Sequence, residues 1–86
     1  MDAIARIARR RKLLVIEDAC QAVGGGYEGR KLGAIGHAGA FSFNYFNNMT
    51  CGEGGAVVTN DKEAADRAFC TVDCCSFYWK GRKRDI

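Results

Sequence analysis

The chain has 86 residues, of which 48% are hydrophobic, and a formal net charge of +3. This length allows a single small domain with a thin margin of stability. The sequence has no apolar run of eighteen residues, which excludes a transmembrane helix, and its charged N-terminus lacks the apolar core of a signal peptide. We therefore predict a cytoplasmic protein with no membrane partner.

The first predicted elements are a helix and a strand. Residues 2–12 have Ile4, Ile7 and Ala8 on one face, with Asp2 as a candidate cap. Leu13–Ile16 follows as a continuous apolar run, which is typical of a strand buried on both faces of a parallel sheet. Glu17 and Asp18 come directly after this run, at the strand end where open α/β sheets bind their ligands.

Turns dominate the next twenty residues. The triple glycine Gly24–Gly26 lacks the spacing and lysine of a phosphate-binding P-loop, so we interpret it as a flexible connection. Residues 27–31 predict a small turn or hairpin around Glu28 and Gly29. The following loop, 33–39, holds His37, the single histidine of the sequence.

Two apolar segments flank a polar loop in the centre of the chain. The first, residues 40–43, carries the hydroxyl of Ser42, and the second is Ala56–Thr59. Between Asn44 and Thr50 there is no Lys, His, Asp or Cys, so this part of the loop offers no base and no amine nucleophile. The segments predict two strands joined by a loop that presents side chains to a small ligand.

A second helix is predicted from Asn60 to about Asp73. Asn60 and Glu63 have the spacing of a capping box, and Ala64, Ala68 and Phe69 belong to an apolar face. The predicted fold is a small α/β unit, a three-stranded sheet with two flanking helices spanning residues 1–79. Residues 80–86 form a basic tail that we expect to be solvated and disordered.

The central motifs resemble those of a known enzyme family. The combination of EDA-x-QA, FSF, GEGG and VVTND is similar to the DegT/DnrJ/StrS family of pyridoxal-phosphate-dependent sugar aminotransferases, over residues 1–73. The resemblance implies a piece of the large domain of the aspartate-aminotransferase-like fold. It also implies a parent reaction in which glutamate or glutamine gives its amino group to a keto-sugar nucleotide.

The resemblance assigns roles to three residues. Asp18 matches the aspartate that pairs with the pyridine nitrogen, Gln21 matches the glutamine against the cofactor ring, and Ser42 matches the serine that binds the phosphate. An ionised carboxylate keeps the ring nitrogen protonated, which makes the ring an effective electron sink. The alternatives are local: Asp18 as a cap after the strand and Ser42 as a hydroxyl bonded to backbone.

The sequence departs from the family at one position. Asn47 stands where the family has the Schiff-base lysine, and an asparagine amide is neither nucleophilic nor basic at neutral pH. The chain is also several times shorter than family members. We therefore predict an inactive, fragment-like relative with no catalytic residue and no covalently bound pyridoxal phosphate.

Three further hypotheses concern the binding partners and the cysteines of the chain. Exposed interior faces of a partial sheet favour self-association, so we expect a homo-oligomer. Basic clusters at residues 9–12 and 80–84, the latter near Phe77–Trp79, offer weak nucleic-acid binding, although solvated ends are the favoured interpretation. The five cysteines lack metal-ligand spacing, so we expect reduced, mostly buried thiols and no metal site.

Overall fold

The computed structural model describes residues 1–72. Its elements, in chain order, are α1 (Asp2–Arg11), β1 (Ile16–Asp18), β2 (Gly26–Tyr27), β3 (Arg30–Lys31), β4 (Ala38–Ser42), β5 (Gly55–Thr59) and α2 (Lys62–Val72). The predicted basic tail, the second basic cluster with its aromatic neighbours, and the boundary at residue 79 all lie outside the described residues.

The sheet has the order β1-β4-β5. β1 pairs parallel to β4, with Asp18 opposite Ala40, and β4 pairs antiparallel to β5, with Ser42 opposite Gly55. The predicted small α/β unit with three strands and two helices is therefore confirmed. The sequence between β1 and β4 adds a short hairpin, β2–β3, whose turn residues Glu28 and Gly29 both have positive φ.

The first strand lies later in the chain than its apolar run predicts. Leu13 and Leu14 precede β1, because the partner strand β4 begins only at Ala38 and so reaches back no further than Ile16. Val15 instead bonds to His37, donating its N–H to Nδ1 at 2.9 Å. Burial on both faces was also wrong: the exposed fractions of Leu14 and Ile16 are 78% and 73%.

Both helix caps differ from the predicted ones. Met1 occupies the N-cap of α1 without a side-chain bond, while Asp2 forms an ion pair with Arg30 of the hairpin. At α2 the cap is Asp61, whose Oδ1 accepts the N–H of Ala64 at 3.0 Å. The proposed box of Asn60 and Glu63 was therefore wrong by one residue.

Little apolar surface is enclosed within the part of the chain that the structure describes. Ala8 and Ala19 are its buried hydrophobic residues, and α2 has no buried side chain despite its predicted apolar face. Cys51 is exposed, against the expectation of mostly buried thiols, while Cys20 and Cys70 are half-buried and unpaired. Neither described helix is long and apolar enough to cross a bilayer.

Candidate functional site

The C-terminal end of β1 carries two adjacent carboxylates on opposite faces of the sheet. Side chains alternate along a strand, so Glu17 and Asp18 point to different sides. The Glu17 carboxylate accepts the backbone N–H groups of Gly33 (2.8 Å), Ile35 (2.6 Å) and Gly36 (2.5 Å). Burial would raise the pKa of Glu17, but these N–H donors, with a contribution from Arg30, lower it below its usual range. The Glu17 side chain thus holds the 33–36 loop against the strand.

Asp18 lies on the other face and is exposed. Its Oδ1 accepts the backbone N–H of Cys20 at 3.2 Å, which is the local cap anticipated as its structural alternative. Hydrogen bonds from the Cys20 side chain and backbone lower the pKa of Asp18, and the same contact raises the pKa of the Cys20 thiol. At neutral pH this position therefore presents an ionised carboxylate to solvent.

Ser42 is at the end of β4, on the same face as Asp18. Ala40 is the register partner of Asp18, and Ser42 is two residues further along the strand. Strand geometry places the Cα atoms of Asp18 and Ser42 about 8 Å apart. Ser42 is half-buried, and its Oγ accepts the backbone N–H of Asn44 at 3.2 Å, the backbone bond anticipated as its structural alternative.

Asn47 is brought against Ser42 by a turn in the polar loop. The Asn47 N–H donates to the carbonyl oxygen of Asn44 at 3.0 Å, which closes the turn. The Asn47 side chain then donates from Nδ2 to Ser42 Oγ at 2.7 Å. The position at which the family resemblance expects a lysine and the position at which it expects a phosphate-binding serine are therefore in direct contact.

Gln21 and His37 occupy less central places. Gln21 is exposed in the turn after Asp18, where the N–H of Ala22 donates to the carbonyl oxygen of Ala19 at 3.0 Å. Within residues 1–72 the Gln21 side chain makes no hydrogen bond to Asp18, Ser42 or Asn47. His37 is tied to the opposite end of β4 through Val15 and so does not reach the polar loop.

Sequence reasoning placed Glu17 beside Asp18 at the strand end but gave it no role, and it missed Asn44. Glu17 could have been assigned from strand alternation, because the residue beside an exposed acid on a strand faces the other side. The backbone N–H of Asn44 carries no side-chain signal, so only the geometry of the turn after Ser42 reveals it.

The arrangement fits a phosphorylated pyridine in part. An ionised carboxylate suits a protonated ring nitrogen, and a hydroxyl at a strand end suits a phosphate oxygen. Both groups are on one sheet face at a separation that such a ligand spans. Asn47 supplies no amine at the position where the family resemblance expects one.

Comparisons with known proteins match the chain to one enzyme family. The model of the DegT/DnrJ/EryC1/StrS aminotransferase family matches residues 1–84. The chain is 52% identical over 68 residues to the L-glutamine:scyllo-inosose aminotransferase of Streptomyces griseus, covering 79% of this chain and 16% of that protein. It is 51% identical over 65 residues to the GDP-perosamine synthase of Caulobacter vibrioides, covering 76% and 18%.

A solved structure extends the similarity to the backbone. The chain is similar to a DegT DnrJ EryC1 StrS aminotransferase from Brucella abortus, with a TM-score of 0.81 and 40% identity, covering 99% of this chain and 22% of that one. The chain thus spans about a sixth of the length of the curated relatives it matches.

Proposed function

Because the chain belongs to the DegT/DnrJ/EryC1/StrS aminotransferase family, we propose that it binds pyridoxal phosphate without a covalent bond and does not transfer amino groups. Residues 1–79 correspond in this proposal to part of the large, cofactor-binding domain. The matched relatives are sugar aminotransferases, so the parent reaction is amino transfer to a sugar-derived ketone. The observation that carries the proposal is the contact of Asn47 with Ser42 on the same sheet face as Asp18.

Each residue has a distinct task in this proposal. Asp18 holds a proton at the pyridine nitrogen, because its pKa is lowered and it stays ionised at neutral pH. Ser42 donates to a phosphate oxygen, and Gln21 lies against the ring. When bound, pyridoxal phosphate supplies an electron-accepting ring for chemistry at an attached amino group.

Asn47 is the reason for proposing that amino transfer is absent. An amide nitrogen shares its lone pair with the carbonyl, so it neither attacks an aldehyde nor carries a proton between carbons at neutral pH. The loop between Asn44 and Thr50 contains no base. The His37 ring lies at the far end of β4, where its Nδ1 accepts the N–H of Val15.

The test compares the chain with its Asn47→Lys variant. Each protein is incubated with pyridoxal phosphate, reduced with borohydride and mapped by peptide mass spectrometry, and each is assayed for amino exchange between glutamate and a keto-sugar. We expect the variant to gain an adduct at position 47 and the parent chain to show no exchange. Exchange by the parent chain, or a variant without an adduct at position 47, would contradict the proposal.

A second candidate function is self-association. Large apolar side chains are exposed on the Asp18 face of the sheet, on helix α1 and in the segment that joins them, namely Ile4, Ile7, Leu13, Leu14, Ile16 and Val57. Those of α1 and residues 13–16 line one open apolar depression. Apolar surface of this kind favours assembly of copies of the chain. Light scattering after size exclusion tests this: a monomer at roughly micromolar concentration, where multimers are expected to persist, would contradict it.

A further inference from the structure

The Ser42 hydroxyl has its acceptor capacity filled by the chain itself. A serine hydroxyl has one hydrogen to donate and two lone pairs that accept. The backbone N–H of Asn44 takes one lone pair at 3.2 Å, and Nδ2 of Asn47 takes the other at 2.7 Å. The O–H hydrogen therefore has to point to a third partner, and none of residues 1–72 accepts it.

Asn47 determines that the Ser42 hydroxyl accepts, rather than donates, in the contact between the two side chains. An amide NH₂ group donates and does not accept, so Ser42 cannot turn its hydrogen toward Nδ2. The turn bond from the Asn47 N–H to the Asn44 carbonyl oxygen fixes the backbone that carries the amide, and both Ser42 and Asn47 are half-buried. With the Asn44 contact alone, one lone pair of Ser42 would stay available and the hydroxyl could rotate between donor and acceptor roles.

We infer that Asn47 is a positioning residue that fixes Ser42 as a hydrogen-bond donor toward an oxygen of a phosphate ester. This inference rests on the proposed function, which places a phosphorylated pyridine at Ser42. Because neither amide atom reacts with an aldehyde, the site takes such ligands whether they carry an aldehyde or an amine. The Asn47 side chain is thus a part of the phosphate site rather than only the loss of a catalytic group.

The experiment is calorimetric titration of pyridoxamine phosphate, which has no aldehyde and so cannot bond covalently to surface lysines. The Asn47→Ala variant is expected to bind about three- to tenfold more weakly, since one hydrogen bond that orients Ser42 is lost. Asn47→Asp is expected to lose more, about tenfold or greater, because a carboxylate accepts the Ser42 hydrogen and repels the phosphate.

A double-mutant cycle separates positioning from a structural role. In a Ser42→Ala background the Asn47→Ala change should weaken binding no further, because the hydroxyl that it orients is absent. Asn48→Ala is the matched control: its amide lies in the same loop but donates to the Val23 carbonyl oxygen at 3.1 Å. That control should bind like the parent chain.

The outcomes distinguish the inference from the proposed function. If the parent chain does not bind pyridoxamine phosphate, or Ser42→Ala leaves binding unchanged, the proposed function fails and the inference fails with it. If Ser42→Ala weakens binding but the Asn47 variants do not, or if the two losses add independently, only the inference is overturned. Losses at Asn47 that vanish in the Ser42→Ala background support it.

Discussion

The two faces of the three-stranded sheet place an acidic side chain in different environments. On one face the Glu17 carboxylate accepts three backbone N–H groups from residues sixteen to nineteen positions away, and the 33–36 loop lies across the strand. On the other face, within residues 1–72, the Asp18 carboxylate bonds only inside its own turn, to Cys20. Neighbouring acids in sequence thus have separate tasks, one in holding the fold and one in facing solvent.

The difference follows from what covers each face. The loop approaches so closely on the Glu17 side that the backbone of Gly33 contacts that of Gly39 in β4, and both glycines are buried. On the Asp18 side Ile16 and Val57 stay largely exposed. A covered face specifies a residue by its contacts, whereas an open face leaves a polar residue available for a ligand.

The largest effect is expected from adding one carbon to the covered face. In Gly39→Ala the new Cβ would lie 2.1 Å from the carbonyl oxygen of Gly33, a backbone atom that cannot rotate away. The loop would have to lift and break the Glu17 bonds, so we expect a loss of about 3 kcal/mol or more in unfolding free energy. Urea denaturation followed by circular dichroism measures it.

Ala40→Ser is the matched control for this change. It also adds one heavy atom to β4, but on the Asp18 face, where Ala40 is half-buried. We expect its unfolding midpoint to stay close to that of the parent chain. Equal losses for the two variants would mean that the faces are equally packed and would contradict the comparison.

A smaller effect is expected from Glu17→Gln, and it depends on pH. The amide retains one acceptor oxygen and loses the charge, so we expect a loss of about 2 kcal/mol at neutral pH. The pKa of Glu17 is lowered in the folded state, so its stabilisation is present above its ordinary pKa of 4.5 and disappears as the pH falls through the lower, folded value.

The measurement is the urea midpoint of both proteins from about pH 6 to about pH 3, a range that starts above the ordinary carboxyl pKa and ends below it. The parent chain should lose more stability than Glu17→Gln across this range, because the variant has no carboxylate to protonate there. Parallel curves would show that Glu17 contributes no charge-dependent stability.

Several elements could be predicted from the sequence because their signals are local. The turn residues Glu28 and Gly29 predicted the hairpin, and the apolar segments around Ser42 and Val57 predicted β4 and β5. Strand β1 was displaced because pairing, not apolarity, decides where a strand begins, and the partner strand starts only at Ala38. The α2 cap shifted to Asp61 because two adjacent residues, Asn60 and Asp61, are both good caps.

The candidate site was predictable in its parts but not in its contacts. Asp18 and Ser42 came from motif resemblance, and the sheet register then puts them on one face. The bond between Asn47 and Ser42 depends on the turn of the polar loop, for which the sequence offers no periodic pattern. Their roles toward a cofactor stay predictions that the titrations decide.

The smallest effect on stability is expected from Asp18→Asn, which tests the open face directly. The exposed amide can still accept the Cys20 N–H through its oxygen, so the urea midpoint at neutral pH should match that of the parent chain. Binding of pyridoxamine phosphate should nevertheless weaken by about tenfold, because a neutral amide no longer favours a protonated ring nitrogen. Glu17→Gln supplies the reverse control, since it should lower stability while leaving binding by the folded fraction unchanged. If Asp18→Asn instead destabilised the chain and left binding intact, Asp18 would be only a cap, and the two faces would not divide folding from ligand binding.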